Sequence, residues 1–217
     1  MHISEGFLPL THAAAWAAIA APFAGGGIAR LSSRRDDRFL VAASAGYLFA
    51  LTALKLPSVA GSSSHPTGVA VGTLLAGPVL MPALALVVLL FQALLTGHGG
   101  LTTLGANLMS LGVVGPWITW GLWRIAVRAG AQPKVAVMLA AFAGSLATYA
   151  CTAAQLALAH PDATGGVGGA FVKFGAVFAV TQVPISVVEA VFSVTVLGVF
   201  ERASGWAAAG REAWVRR

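Results

Sequence analysis

The apolar runs at 10–30, 39–58, 68–81, 82–96, 103–127, 135–159 and 169–200 leave this chain little with which to face water. Only 9% of its 217 residues are charged, against 58% hydrophobic. Soluble domains carry about 25% charged residues. So small a polar stock cannot cover a water-exposed surface, and the chain reads as an all-α integral membrane protein. A spanning helix takes roughly 20 apolar residues, so about seven transmembrane helices use most of the length. No room remains for a soluble catalytic domain, and 1–217 is expected to form a single membrane domain. The 26 glycines fit this reading, because small residues let membrane helices approach one another closely.

The loops carry the orientation. Basic residues gather in 30–38, in 128–134 and in the tail after 201. The stretch 68–96 reads either as one long kinked helix or as two short ones meeting at Gly77-Pro78-Val79-Leu80-Met81-Pro82. With two crossings there, all 13 basic residues except Lys55 and Lys173 share one side. The positive-inside rule makes that side cytoplasmic. The N-terminus is then outside, and the C-terminus, with its basic tail 201–217, is cytoplasmic. Each short helix falls short of a ~30 Å hydrocarbon core, which calls for local thinning, burial among the other helices or a re-entrant hairpin. The net charge of +6 is absorbed by this sidedness and makes no case for a nucleic-acid partner. No secretory leader is expected, since Met-His-Ile-Ser-Glu lacks a basic start. The single Cys151 excludes an internal disulfide and a cysteine-built zinc site.

All five histidines fall on the outer side of this topology, and His2 is the sharpest of them. A bulky second residue keeps the initiator Met in place. The Met1 amine, the His2 amide nitrogen and the His2 Nδ1 then close two chelate rings on one ion. Three nitrogens in a plane suit Ni(II) or Cu(II) and impose the same geometry on Co(II). Oxygen-preferring Mg²⁺ and Ca²⁺ are disfavoured. His65, in the polar loop Gly61-Ser62-Ser63-Ser64-His65-Pro66-Thr67-Gly68, offers a fourth nitrogen on the same side, and Pro66 biases its backbone toward extended. A solvated histidine behind the start residue, and another in an exposed loop, would leave the same pattern.

Other polar residues have weaker claims. His98, in Gly97-His98-Gly99-Gly100, is a candidate for orienting the ligands, and turn placement explains it as well. Glu5 either neutralises the cation, holds the N-terminal segment or is simply solvated. Ser64 and Asn107 are further candidates for supporting the ligands, and Asn107 and Gln92 sit in apolar runs, where amides hydrogen-bond across helices. His12 and His160 read as residues at helix ends. Glu189 lies in the middle of an apolar run, where a carboxylate is costly and functional by default, with no partner visible in the sequence.

Several of these segments are also recognisable. Met1-His2-Ile3-Ser4-Glu5-Gly6-Phe7-Leu8-Pro9 resembles the N-terminus of the nickel/cobalt substrate-binding subunits of energy-coupling-factor transporters. The stretch from Leu54 to Gly68 resembles the cobalt branch, the CbiM type. Phe91-Gln92-Ala93-Leu94-Leu95, Gly97 to Leu108 and Val180-Thr181-Gln182-Val183-Pro184 are similar to the same family, and the likeness runs from residue 1 to about 200. The resemblance implies seven membrane helices with the segment 1–9 tucked into the outer face. It implies an ion held by the Met1 amine, the amide and imidazole of His2 and the imidazole of His65. Ser63 stands where Cys is common in the family; nitrogen ligands do not need it.

The resemblance further implies a multi-pass protein of the bacterial inner membrane that captures Co²⁺, with Ni²⁺ possible, for import that feeds cobalamin biosynthesis. Its partners would be a transmembrane coupling subunit, two ATPase subunits and a small accessory membrane subunit. The chain itself is not expected to be an enzyme. It has no Gly-x-x-x-x-Gly-Lys-[Ser/Thr] loop for ATP and no His-Glu-x-x-His. The rival readings are a nickel-specific subunit of the same class and a self-sufficient secondary permease. A permease would often show inverted repeats and a charged pair at mid-membrane, and the sequence offers only Glu189.

Overall fold

Each apolar run becomes a helical rod. The computed structural model describes residues 2–33, 38–57 and 62–204. Met1, the charged segment 34–37, the stretch 58–61 and the tail beyond 204 lie outside the described residues. Helices α1 (Leu10–Ser33) and α2 (Arg38–Ala53) are followed by α3 (Val69–Ala76) and α4 (Met81–Leu95). Helix α5 (Leu104–Leu108), a π-helical stretch (Met109–Val114) and α6 (Gly115–Arg128) run on as one rod over 104–128. Helices α7 (Pro133–Ala159) and α8 (Gly166–Ser204) complete the series. Among the described residues this makes seven rods, and the chain is an all-α membrane protein.

The helix boundaries follow local chemistry. Proline stands in the first turn of α4 and α7, where its missing N–H has no intrahelical partner to lose. Gly130, at φ 80°, turns the chain just after α6. The stretch 68–96 resolves as two helices. Gly77 takes φ 91°, a conformation only glycine adopts freely, and Pro78 cannot continue a helix. All eight residues of α3 are buried. Its shortness is therefore covered by protein, the setting in which irregular backbone at membrane depth is tolerated. Helices α1, α7 and α8, with 24, 27 and 39 residues, are each long and apolar enough to cross a bilayer alone. Phe39, Leu95, Val180 and Val188 stand exposed on the outer faces of the helices, as lipid contact requires.

Small residues set the spacing. A Cβ on Gly105 of α5 would lie 2.4 Å from Ala17 Cα, so the backbones of α5 and α1 touch. Gly27 brings α1 close to α4 as well, where a Cβ would meet Ala83 N at 2.9 Å. Between the rods lies one feature that no apolar run announced. Strands β1 (His2–Ile3), β2 (Leu56–Pro57) and β3 (Ser62–Ser64) form an antiparallel sheet in the order β1-β3-β2. His2 pairs with Ser63 and Ile3 with Ser62.

The α1–α5 contact gives a direct test. Gly105→Leu must drive these backbones apart and is expected to destabilise the fold by at least about 2 kcal/mol. Thermal unfolding in detergent measures it, with Gly121→Leu, where nothing lies within 4 Å of the added Cβ, as the control.

Candidate metal centre

The N-terminal segment is built into the protein rather than laid upon it. His2 and Ile3 are fully buried. The Ile3 side chain packs with Leu8, Ala13, Ala106, Leu156 and Phe178. Its backbone is gripped on both sides. The Ile3 N–H donates to Asn107 Oδ1 at 2.7 Å, and the Ile3 carbonyl accepts from Asn107 Nδ2 at 3.0 Å and Thr103 Oγ1 at 2.8 Å. Further on, the Glu5 amide donates to Gly99 O, and the Glu5 carboxylate accepts from the Thr102 amide. Of the roles open to Glu5, the structure shows the holding of this segment. Hydrogen bonding from Thr102, its side chain foremost and its amide after it, holds the Glu5 carboxyl below its ordinary pKa. His160 Nε2 donates to Phe7 O at 2.9 Å, so the turn at the end of α7 clasps the same segment.

Three histidines meet where this segment ends. His2 Nδ1 lies 2.8 Å from His65 Nε2 and 3.0 Å from His98 Nε2. One nitrogen from each ring falls within 4.8 Å of the other two. The rings of His2 and His65 stack at 26°, while His98 stands at 86° and 87° to them. His65 Nδ1 is 2.8 Å from Pro66 O; a carbonyl only accepts, so Nδ1 carries the hydrogen. In neutral His65 the Nε2 is then an open lone pair facing His2. Ring nitrogens packed this closely repel one another unless a hydrogen or a cation lies between them. The cluster is chemically suited to a metal ion that prefers nitrogen.

Burial keeps these rings neutral. It lowers the pKa of His2 and of His65 well below 6.5 and that of His98 to about 4. An unprotonated ring is the form a metal needs.

His2 and His65 come together, and His98 comes nearly as close to His2 Nδ1 as His65 does. Gly97 and Gly99, at φ 57° and 79°, shape the His98 turn. A Cβ on Gly99 would meet Asn107 Nδ2 at a tight 3.2 Å, and its positive φ would strain any larger residue. Asn107 supports β1 rather than any ring, and Ser64 Oγ bonds Thr181 Oγ1 of α8 at 2.8 Å. Ser63 Oγ lies 2.6 Å from His98 Nε2. His12 stays in the first turn of α1, away from the cluster. Met1, the proposed source of the amine, lies outside the described residues.

Glu189 finds its partners beside the site. Its carboxylate accepts from the Thr67 amide at 2.8 Å, the Thr67 hydroxyl at 2.6 Å, the Gly68 amide at 2.7 Å and Ser145 Oγ at 3.0 Å. Four donors offset much of the desolvation of a buried charge. Helices α7 and α8 thus hold the segment that follows His65. Sequence reasoning marked the residue and missed the role, because the partners are backbone amides 121 and 122 residues away.

The comparisons with known proteins bear on this architecture. Residues 2–205 match the family model CbiM, the cobalt uptake substrate-specific transmembrane region. The chain belongs to the CbiM family. A CbiM relative from Roseiflexus sp. (strain RS-1), named a cobalt transport protein, is 47% identical over 93% of this chain and 82% of its own length. Another from Streptomyces coelicolor, with the same name, is 47% identical over 94% and 90%. The fold is also that of a solved truncated transition metal transporter, at TM-score 0.81 and 23% identity, covering 93% of this chain and 99% of that one. CbiM membership makes the chain a substrate-specific membrane component of cobalt uptake.

Two outcomes follow from the site's electrostatics. In the folded, metal-free protein the three rings resist protonation, whereas in the unfolded chain they accept protons near pH 6.5. The unfolded state then binds more protons below that pH, so stability is complete above about 6.5 and falls as the pH drops toward about 4. Thermal unfolding of metal-free protein across this range should show the decline. Glu189→Gln turns one acceptor oxygen into a donor facing donors, and should cost about 1–3 kcal/mol of stability. Hydrogen exchange at the Thr67 and Gly68 amides should quicken with it.

Proposed function

We propose that this chain is the cobalt-capturing subunit of an ATP-driven energy-coupling-factor importer that feeds cobalamin biosynthesis. In this reading Co²⁺ is cargo, held by the Met1 amine, the His2 amide nitrogen, His2 Nδ1 and His65 Nε2. The observation that carries it is the 2.8 Å separation of His2 Nδ1 and His65 Nε2. Metal–nitrogen bonds run to about 2.0 Å, so two donors at right angles on one ion sit about 2.8 Å apart. The buried, neutral rings and the tautomer set by Pro66 O support the same reading. Ni²⁺ fits the four nitrogens as well, and the preference for cobalt leans on the family and on the names of its relatives.

The membrane placement belongs to the same proposal. The N-terminus and the histidine cluster face outward, the basic segments face the cytoplasm, and the protein sits in the bacterial inner membrane. ATP is hydrolysed by two partner ATPase subunits, coupled through a transmembrane subunit and accompanied by a small accessory one. The chain's part is to bind and select the ion, with no bond-making chemistry of its own.

The free amine is where this reading is most exposed to test. A tag of several residues before Met1 should abolish cobalt binding and uptake, while a C-terminal tag should leave both intact. His2→Ala removes a ring nitrogen and a chelate ring together and should lower affinity more than His65→Ala, which opens one position to water. Isothermal titration of the purified variants, with radiolabelled cobalt uptake in cells with and without the partner ATPases, measures both. Unchanged cobalt affinity in the N-terminally extended protein would falsify the amine site. Uptake that ignores loss of the ATPases would point to a permease.

A further inference from the structure

His98 stands too close to the proposed ligands to serve only as their support. Its Nε2 is 3.0 Å from His2 Nδ1, nearly the 2.8 Å that separates His2 Nδ1 from His65 Nε2. Both values suit neighbouring donors on one ion with bonds of about 2.0 Å. The inference rests on the planar site proposed above. In that plane His2 Nδ1 has two neighbours, its own amide nitrogen and His65 Nε2, and lies opposite the Met1 amine. No in-plane position beside His2 Nδ1 remains. A third nitrogen at neighbour distance from it must lie above or below the plane. The ring orientations agree, since His98 is nearly perpendicular to the stacked pair of His2 and His65.

We infer that His98 Nε2 is a fifth, apical ligand of the ion and the residue that tilts this site toward cobalt over nickel. The electronic reason is general. Four nitrogens in a plane leave Ni(II), with eight d electrons, a filled orbital along the axis, which repels an apical donor. Low-spin Co(II), with seven, has a single electron there and accepts a fifth ligand. The loop is built to hold such a donor. Positive-φ glycines flank His98, its amide donates to Gln92 O at 3.0 Å, and the ring is buried. Ser63 Oγ, 2.6 Å from Nε2, supplies the contact from which that nitrogen turns to the ion.

X-ray absorption at the cobalt edge of the loaded wild-type protein tests this without any substitution. A planar ion with empty axial positions shows a sharp 1s→4p shoulder on the rising edge, and an apical ligand suppresses it. The shoulder should be absent from the wild-type protein and appear in His98→Leu, whose side chain fills the ring's volume and excludes water. His98→Leu should also lose cobalt affinity about 10- to 100-fold more than nickel affinity. A full shoulder in the wild-type protein overturns the assignment while leaving the planar site standing. So does an edge that changes with no loss of cobalt affinity, because the apical atom is then water. Failure of the planar site reads differently: cobalt binding would survive an N-terminal extension, whatever residue stands at 98.

Discussion

The fold around the site depends on the pairing of two residues at the start of the chain with the middle of a loop sixty residues on. Antiparallel pairing of β1 with β3 sets His2 opposite Ser63, and His65 follows two residues later. A two-residue strand has almost no stability of its own. Its strength comes from the surroundings: Ile3 fills an apolar pocket made by α1, α5, α7 and α8, and Asn107 and Thr103 satisfy its backbone. Burying the strand removes peptide groups from water, and each one left unpaired would cost about 1–3 kcal/mol, roughly twice what a net hydrogen bond contributes. The Asn107 amide is matched to this demand, offering one acceptor and one donor to a single residue.

From that pairing the site reaches into the membrane helices along three lines. Asn107 ties β1 to the rod over 104–128, next to its π-helical stretch. Thr181 ties Ser64 to α8. Glu189, from the same helix, ties down Thr67 and Gly68 with help from Ser145 of α7. Every link is a hydrogen bond from a helix to a segment that carries or adjoins a histidine, so the positions of the rings depend on how the helices sit. The helices are in turn set by contacts such as Gly105 on Ala17, where one added methyl has no room. Interiors packed this tightly transmit displacement rather than absorb it.

How much of this the sequence disclosed can be argued residue by residue. Apolar length marks a helix strongly, so each run reappeared as a rod, and the breaks at Gly77 and Gly130 lay where glycine and proline put them. Charge sidedness settled 68–96 as two helices, and burial of all of α3 explains how eight residues suffice. The strands were not legible, because two or three residues carry no periodicity and their partners lie far along the chain. His2 and His65 stood out by chemistry and came together. His98 was read as a helper, since spacing in sequence gives no measure of an approach of 3.0 Å across 96 residues. Glu189 was noticed for its cost, but a carboxylate that binds backbone amides leaves no mark on the residues it binds.

A site for cargo faces a demand that a resident metal site does not: it must hold the ion and later let it go. The placement of the rings answers part of this. None of the three comes from the middle of a helix; they lie on β1, behind β3 and in the turn before α5. Donors fixed along one helix share its rigidity and can release an ion only if that helix is distorted. Donors on three separate segments lose their common focus when any one segment shifts. A planar chelate loses strength steeply once a single nitrogen is withdrawn, since each chelate ring depends on both of its ends. The clasp of Glu189 on Thr67 and Gly68 then has a second meaning. It joins the segment behind His65 to α7 and α8, and a rearrangement of those helices would act on the His65 ring, a ligand in the proposed site, while the Asn107 grip keeps the His2 strand in place.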